Sequence, residues 1–130
     1  MEEYNDYDAA AATIKIEDIT TDKINRKILR QLKENGPDFD KVWVMSNRDV
    51  WGEEFRRYCY CPEGAHDFGW LGYFIGKNTH LEEFLLRSNP FKIFAIEPFC
   101  RGVNRNRSIQ KIELICVDLS GGEFFQWLHL

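Results

Sequence analysis

Apolar pairs recur along this chain at a fixed step, and no other feature limits its architecture so tightly. Ile14/Ile16, Val42/Val44, Phe84/Leu86 and Ile112/Leu114 stand 28, 42 and 28 residues apart, the middle interval being one step of 28 with 14 residues inserted. Each pair alternates as a strand with one buried face does, and Val and Ile suit a strand better than a helix. The pairs sit in a longer frame, Leu81-x-x-Phe84-x-Leu86-x-x-Asn89-x-Phe91, which returns as Ile109-x-x-Ile112-x-Leu114-x-x-Val117-x-Leu119 and, upstream, as Phe39-x-x-Val42-x-Val44-x-x-Asn47. A β–α unit of this size cannot bury its own apolar face, so the units must stack and their strands must line up in one parallel sheet.

Between the strands the spacing becomes helical. Thr21 is placed to cap a helix from Asp22 to about Asn35, with Ile24, Ile28, Leu29 and Leu32 on one face and Gly36-Pro37 to stop it. A second helix is expected from near Asp67 to near Asn78, with Leu71 and Ile75 inward. Phe99, Val103 and Asn106 follow Leu71, Ile75 and Asn78 by 28 residues, so the step governs helices as well as strands. A fourth helix is expected after Gly121-Gly122, carrying Phe124, Phe125, Trp127 and Leu128. A chain of 130 residues has room for one such domain. It is expected over residues 13–130, with an insertion at about 50–65 and an incomplete last repeat, behind a disordered acidic arm at residues 1–12.

Units of this length, with Phe99-Cys100-Arg101-Gly102-Val103 leading into Ile109-Gln110-Lys111-Ile112, resemble leucine-rich repeats of the ribonuclease-inhibitor type over roughly residues 13–130. The resemblance implies an α/β leucine-rich-repeat solenoid, with a curved parallel sheet on the concave side and helices on the convex side, and it implies protein ligands. Val117 and Ile19 stand where that family places Asn or Cys, so the side-chain hydrogen bonds of that loop are expected to be missing from two units.

In such a solenoid the residues flanking each apolar pair face outward on the concave sheet. They are Lys41, Trp43 and Met45 on one strand, Glu83, Leu85 and Arg87 on the next, and Lys111, Glu113 and Ile115 on the third. Trp, Met and Arg are enriched at protein interfaces, so these positions are the expected surface for a protein partner. The insertion gathers Trp51, Phe55, Tyr58 and Tyr60, either as a binding loop on a rigid support or as filling for the space its extra residues create. The Ile112 strand is left as an open edge, so self-association through that edge, or a truncated chain, is also expected.

Other classes of function find little support in the residues. Seventeen Lys and Arg against 21 Asp and Glu give a net charge of −4 and a pI near 5.4, which argues against nucleic acid or an anionic membrane as partner. Arg101, Arg105 and Arg107 form a local basic cluster, which the dipole at a helix C-terminus accounts for. No apolar run spans a bilayer, the start MEEYNDYD is acidic, and four cysteines suit a reducing compartment, so an intracellular, cytoplasmic protein is expected. The nucleophile-elbow, zincin, P-loop and dinucleotide motifs are absent, and neither an enzyme nor a cofactor is expected. The alternative is a zinc-stabilised module built on Cys59, Cys61 and His66, with Cys100 or His80 as a fourth ligand, although its spacing departs from the usual two-knuckle arrangement.

Overall fold

Helix α1 (Ile16–Ile19) leads into α2 (Lys23–Glu34), the longest helix among the residues that the structure, a computed structural model, describes: 7–45, 52–65, 67–87 and 96–114. The Asp22 carboxylate accepts the Asn25 N–H at 2.8 Å, so the cap falls one residue after Thr21. Asn35 ends the helix in the left-handed region at φ 58°, a conformation that Asn tolerates. Ile28, Leu29 and Leu32 are buried and Ile24 is partly so, which is the expected face.

The remaining elements are β1 (Lys41–Met45), a single helical turn α3 (Glu53–Arg56), β2 (Cys59–Tyr60), a 3-10 turn at Pro62–Gly64, α4 (Gly69–Lys77), β3 (Glu83–Arg87), α5 (Ile96–Asn104) and β4 (Lys111–Leu114). The four strands form one parallel sheet in the order β2-β1-β3-β4. Val42 pairs with Phe84 and Phe84 with Ile112, while Val44 pairs with Leu86 and Leu86 with Leu114. Three of the four apolar pairs are therefore in sheet register along the predicted columns. The protein is a mixed α/β structure built on a small parallel sheet.

Helices α2, α4 and α5 pack with the face that carries Val42, Val44, Phe84 and Leu86. The aromatic rings of Tyr60, Phe68, Phe99 and Phe84 follow one another through this core, with centroids 6.0, 4.3 and 5.6 Å apart. Glycine sets how closely α4 and α5 approach. A Cβ placed on Gly72 or Gly102 would overlap the facing backbone of the other helix, and one on Gly76 would overlap the Gly102 carbonyl. Three glycines thus let two helices meet backbone to backbone, a contact that no larger residue permits.

The turns into the strands repeat as well. Asp40 O accepts from Glu82 N and Glu83 N at 2.8 and 3.0 Å, and 28 residues on from Glu82 the same pair of bonds runs from Gln110 N and Lys111 N to Glu82 O at 2.8 and 3.0 Å. Asn78 donates to Leu32 O at 3.1 Å while accepting from His80 N and Leu81 N at 2.8 and 2.7 Å. Asn106 repeats this, donating to Ile75 O and Asn78 O and accepting from Ser108 N and Ile109 N. One side-chain amide per unit satisfies the backbone of its own turn and of the preceding unit.

Two expectations are corrected. Ile14 and Ile16 do not form a strand: Ile16 opens α1, where its i, i+3 spacing with Ile19 buries both side chains, and Ile14 is only half-buried. The place beside β1 is taken instead by β2 from the insertion, with Trp43 paired to Cys59 and Val44 to Tyr60. Beyond β2 stands no further strand among the described residues. The buried Asn25 side chain occupies that side, donating to Cys61 O and accepting from Cys61 N, both at 2.8 Å. The acidic arm is corrected for its second half. Residues 7–10 are helical, and Tyr7 is 9% exposed, because its ring packs on Trp70 and Tyr73 and its hydroxyl donates to the Asp67 carboxylate at 2.7 Å. Residues 1–6, Ile115, Val117 and the helix expected after Gly121 lie outside the described residues.

Candidate functional site

Strand alternation sends Val42, Val44, Phe84 and Leu86 into the core and turns the intervening residues to the other face. There the register assembles two rows across the sheet, Lys41–Glu83–Lys111 and Trp43–Leu85–Glu113, with Met45 beside Arg87. Neighbouring members of a row lie about 4.8 Å apart along the hydrogen-bonding direction. Eight of the expected partner-binding residues are brought together in this way, and Ile115 is outside the described residues.

The insertion lies against one end of this face. Phe55 of α3 stacks on Trp43 with centroids 5.7 Å apart and planes 22° from parallel, and Tyr58 approaches the same indole at 5.8 Å. Trp43 is half-buried as a result, and its indole N–H donates to Glu83 Oε2 at 3.0 Å. The expectation that Met45 faces solvent is corrected. It is 3% exposed, and covering an apolar thioether on an interior strand gains about 25 cal/mol per Å². Phe55, in contrast, is 39% exposed and stands out as the exposed large hydrophobic residue among those described. Tyr58 and Tyr60 are buried, so one insertion fills space and presents an aromatic ring at the same time.

Charge surrounds this apolar centre. Lys41 lies over the Tyr58 ring at 5.1 Å and 3.6 Å from Asp40. Lys111 pairs with Glu113 at 3.0 Å, and that hydrogen bond and the Glu113 charge hold the ammonium above the usual lysine range. Leu85 is half-buried between Trp43 and Glu113, and Arg87 is exposed. Indole, phenyl and leucyl surfaces bordered by both signs of charge form the composition of an interface centre with a polar rim.

The cysteines are dispersed. Cys59 is buried on the Trp43 side of the sheet with its thiol 3.5 Å from Phe55 O, and Cys61 Sγ lies 3.3 Å from Glu63. Cys100 is in the helical core on the opposite side, where burial pushes its thiol up to about 12. His80 Nδ1 meets Asn35 Oδ1 at 3.2 Å, and His66 lies outside the described residues. No group of three or more His, Cys, Asp or Glu among the described residues is arranged to hold a metal ion. Of the basic cluster, Arg101 pairs with Glu97 and Arg105 lies 3.8 Å from Asp8, while Arg107 is exposed. No helix among the described residues is long and apolar enough to cross a membrane.

The sequence reading missed three features of this arrangement: the Gly72–Gly102 contact, the Asn25 amide on Cys61 and the burial of Tyr7. Glycine and asparagine count as blanks in a search for apolar columns, although the Gly72 and Gly76 spacing of four was itself a signal. Comparison of the chain with family models, with curated proteins and with solved structures finds no match.

Proposed function

We propose that this chain is a short leucine-rich-repeat solenoid of the ribonuclease-inhibitor type that binds a protein partner, without catalysis, through the open face of its sheet. The repetition of backbone and asparagine bonds at a step of 28 supports the solenoid reading, since each unit makes to the one before it the bonds that it offers to the next. The observation that carries the binding reading is the exposed Phe55 ring stacked on Trp43 beside Leu85, an apolar centre on a rigid sheet with Lys111, Glu113 and Arg87 around it. A partner seated there covers aromatic surface that is already held in place, so little side-chain freedom is lost on association. An intracellular setting suits Cys59, Cys61 and Cys100, which no disulfide joins among the described residues.

The test is capture of partners from source-cell lysate by the wild type and by a Phe55→Ala/Leu85→Ala/Arg87→Ala variant that retains the wild-type circular dichroism spectrum. A protein held by the wild type and lost from the variant is the expected result. Equal retention by both removes the open face from the function.

A further inference from the structure

We infer that β4 is a homodimer interface, in which two copies of the chain pair antiparallel, edge to edge, about a two-fold axis at Ile112. The inference is independent of the partner-binding reading and rests on the direction of the β4 backbone and the order of its charges. Lys111 sends its N–H inward to Glu82 O at 3.0 Å. By alternation Ile112 therefore turns its N–H and C=O away from β3, toward the side on which no strand stands among the described residues. An edge strand with open donors and acceptors is a template for another strand. In a closed two-fold pair the same residues must meet on both sides.

Antiparallel pairing centred on Ile112 makes it a hydrogen-bonded pair, the N–H of each copy donating to the C=O of the other. The flanking positions then fall opposite each other without backbone bonds, the arrangement in which side chains approach most closely. Lys111 of one copy faces Glu113 of the second, and the same pair repeats across the axis. Both residues lie on the open face of the sheet, where they already pair within one copy at 3.0 Å and can be shared between two. The charges also select the register. A shift of two residues in either direction would set Lys111 against Lys111 or Glu113 against Glu113, and like charges directly opposite are destabilising. Beneath the strand an open groove of about 390 Å³, lined by Val103, Asn106, Ile109, Gln110 and Ile112, offers apolar surface for the second copy to cover.

Sedimentation equilibrium on the full chain, at low salt and over a range of concentrations, tests this with four proteins: wild type, Lys111→Glu, Glu113→Lys and the double exchange. The wild type is expected to show a monomer–dimer equilibrium. Each single variant should weaken it by about tenfold or more, because both cross-axis attractions become repulsions. The double exchange should recover it, and so should an equimolar mixture of the two single variants, since both restore opposite charges at both positions. A wild type that stays monomeric throughout overturns the inference. So does a dimer of the same affinity in all four proteins, or a double exchange that remains as weak as the singles.

Discussion

Replacing Asn78 by alanine tests whether the turns between units, rather than the apolar columns alone, hold the fold together. Asn78 is 2% exposed and makes three bonds: it donates to Leu32 O at 3.1 Å and accepts from His80 N and Leu81 N at 2.8 and 2.7 Å. Alanine removes all three. His80 is exposed, so water can replace its lost acceptor, and the Leu32 carbonyl keeps the bond it accepts from Asn35 N at 3.2 Å, but the N–H of buried Leu81 is left unpaired. A buried backbone group without a partner costs about 1–3 kcal/mol, and the lost bond to Leu32 O adds about 1 kcal/mol, a loss of about 2–4 kcal/mol. That is a large share of the roughly 5–15 kcal/mol that stabilises a typical domain. In urea, with a slope of about 2 kcal/mol per molar, the midpoint should fall by about 1–2 M with the slope unchanged. Asn106→Ala should lose less, because Asn106 and Ser108 are half-buried and solvent reaches part of the network. A midpoint for Asn78→Ala within about 0.3 M of wild type, at unchanged slope, would refute the reasoning.

Gly72→Ala and Gly102→Ala should each destabilise by about 2 kcal/mol or more in the same assay, since the added methyl meets backbone that cannot rotate away, whereas Gly36→Ala, with nothing within 4 Å, should be close to neutral. Tyr60→Phe should be neutral or stabilising by about 1 kcal/mol, because the hydroxyl it removes is buried with no hydrogen-bond partner. Stability should fall as pH rises above the ordinary thiol value of 9.0: Cys100 is held protonated to about 12 in the folded chain, so the unfolded chain loses its proton first and gains in stability as it does. Below 9.0 this thiol is protonated in both states and contributes no slope, and Cys100→Ala should flatten urea midpoints measured between pH 7 and pH 10 relative to wild type.

How much of this was legible in the residues depends on which force placed each element. Val42, Phe84 and Ile112 announce themselves because a strand buried on one face must repeat its apolar columns wherever it joins a sheet. Helix α2 is legible for the same reason, with its end set by Asn35 within a residue of the Gly36-Pro37 stop. Ile14 and Ile16 carry the same spacing and still form no strand, because pairing is decided between segments. Tyr58 to Tyr60 in the insertion competes for the same edge of β1 and supplies the fully buried Tyr60 ring there. The open face was legible as a set of positions, but its relief was not. Whether Trp43 or Met45 meets solvent depends on where the inserted residues travel, and no periodicity carries that information. The tie between Tyr7 and Asp67, 60 residues apart, has no local signature at all.

The Asn25 amide on Cys61 bears on how many molecules could ever join through their sheets. A sheet with two open edges can extend in both directions and grow without limit, as fibres do. Here the outward N–H and C=O of Cys61 are already consumed by a side chain from the same molecule, which imitates a neighbouring strand without offering another edge beyond it. Among the described residues the place for a further strand is therefore at the β4 end, so the pairing inferred there would stop at two molecules.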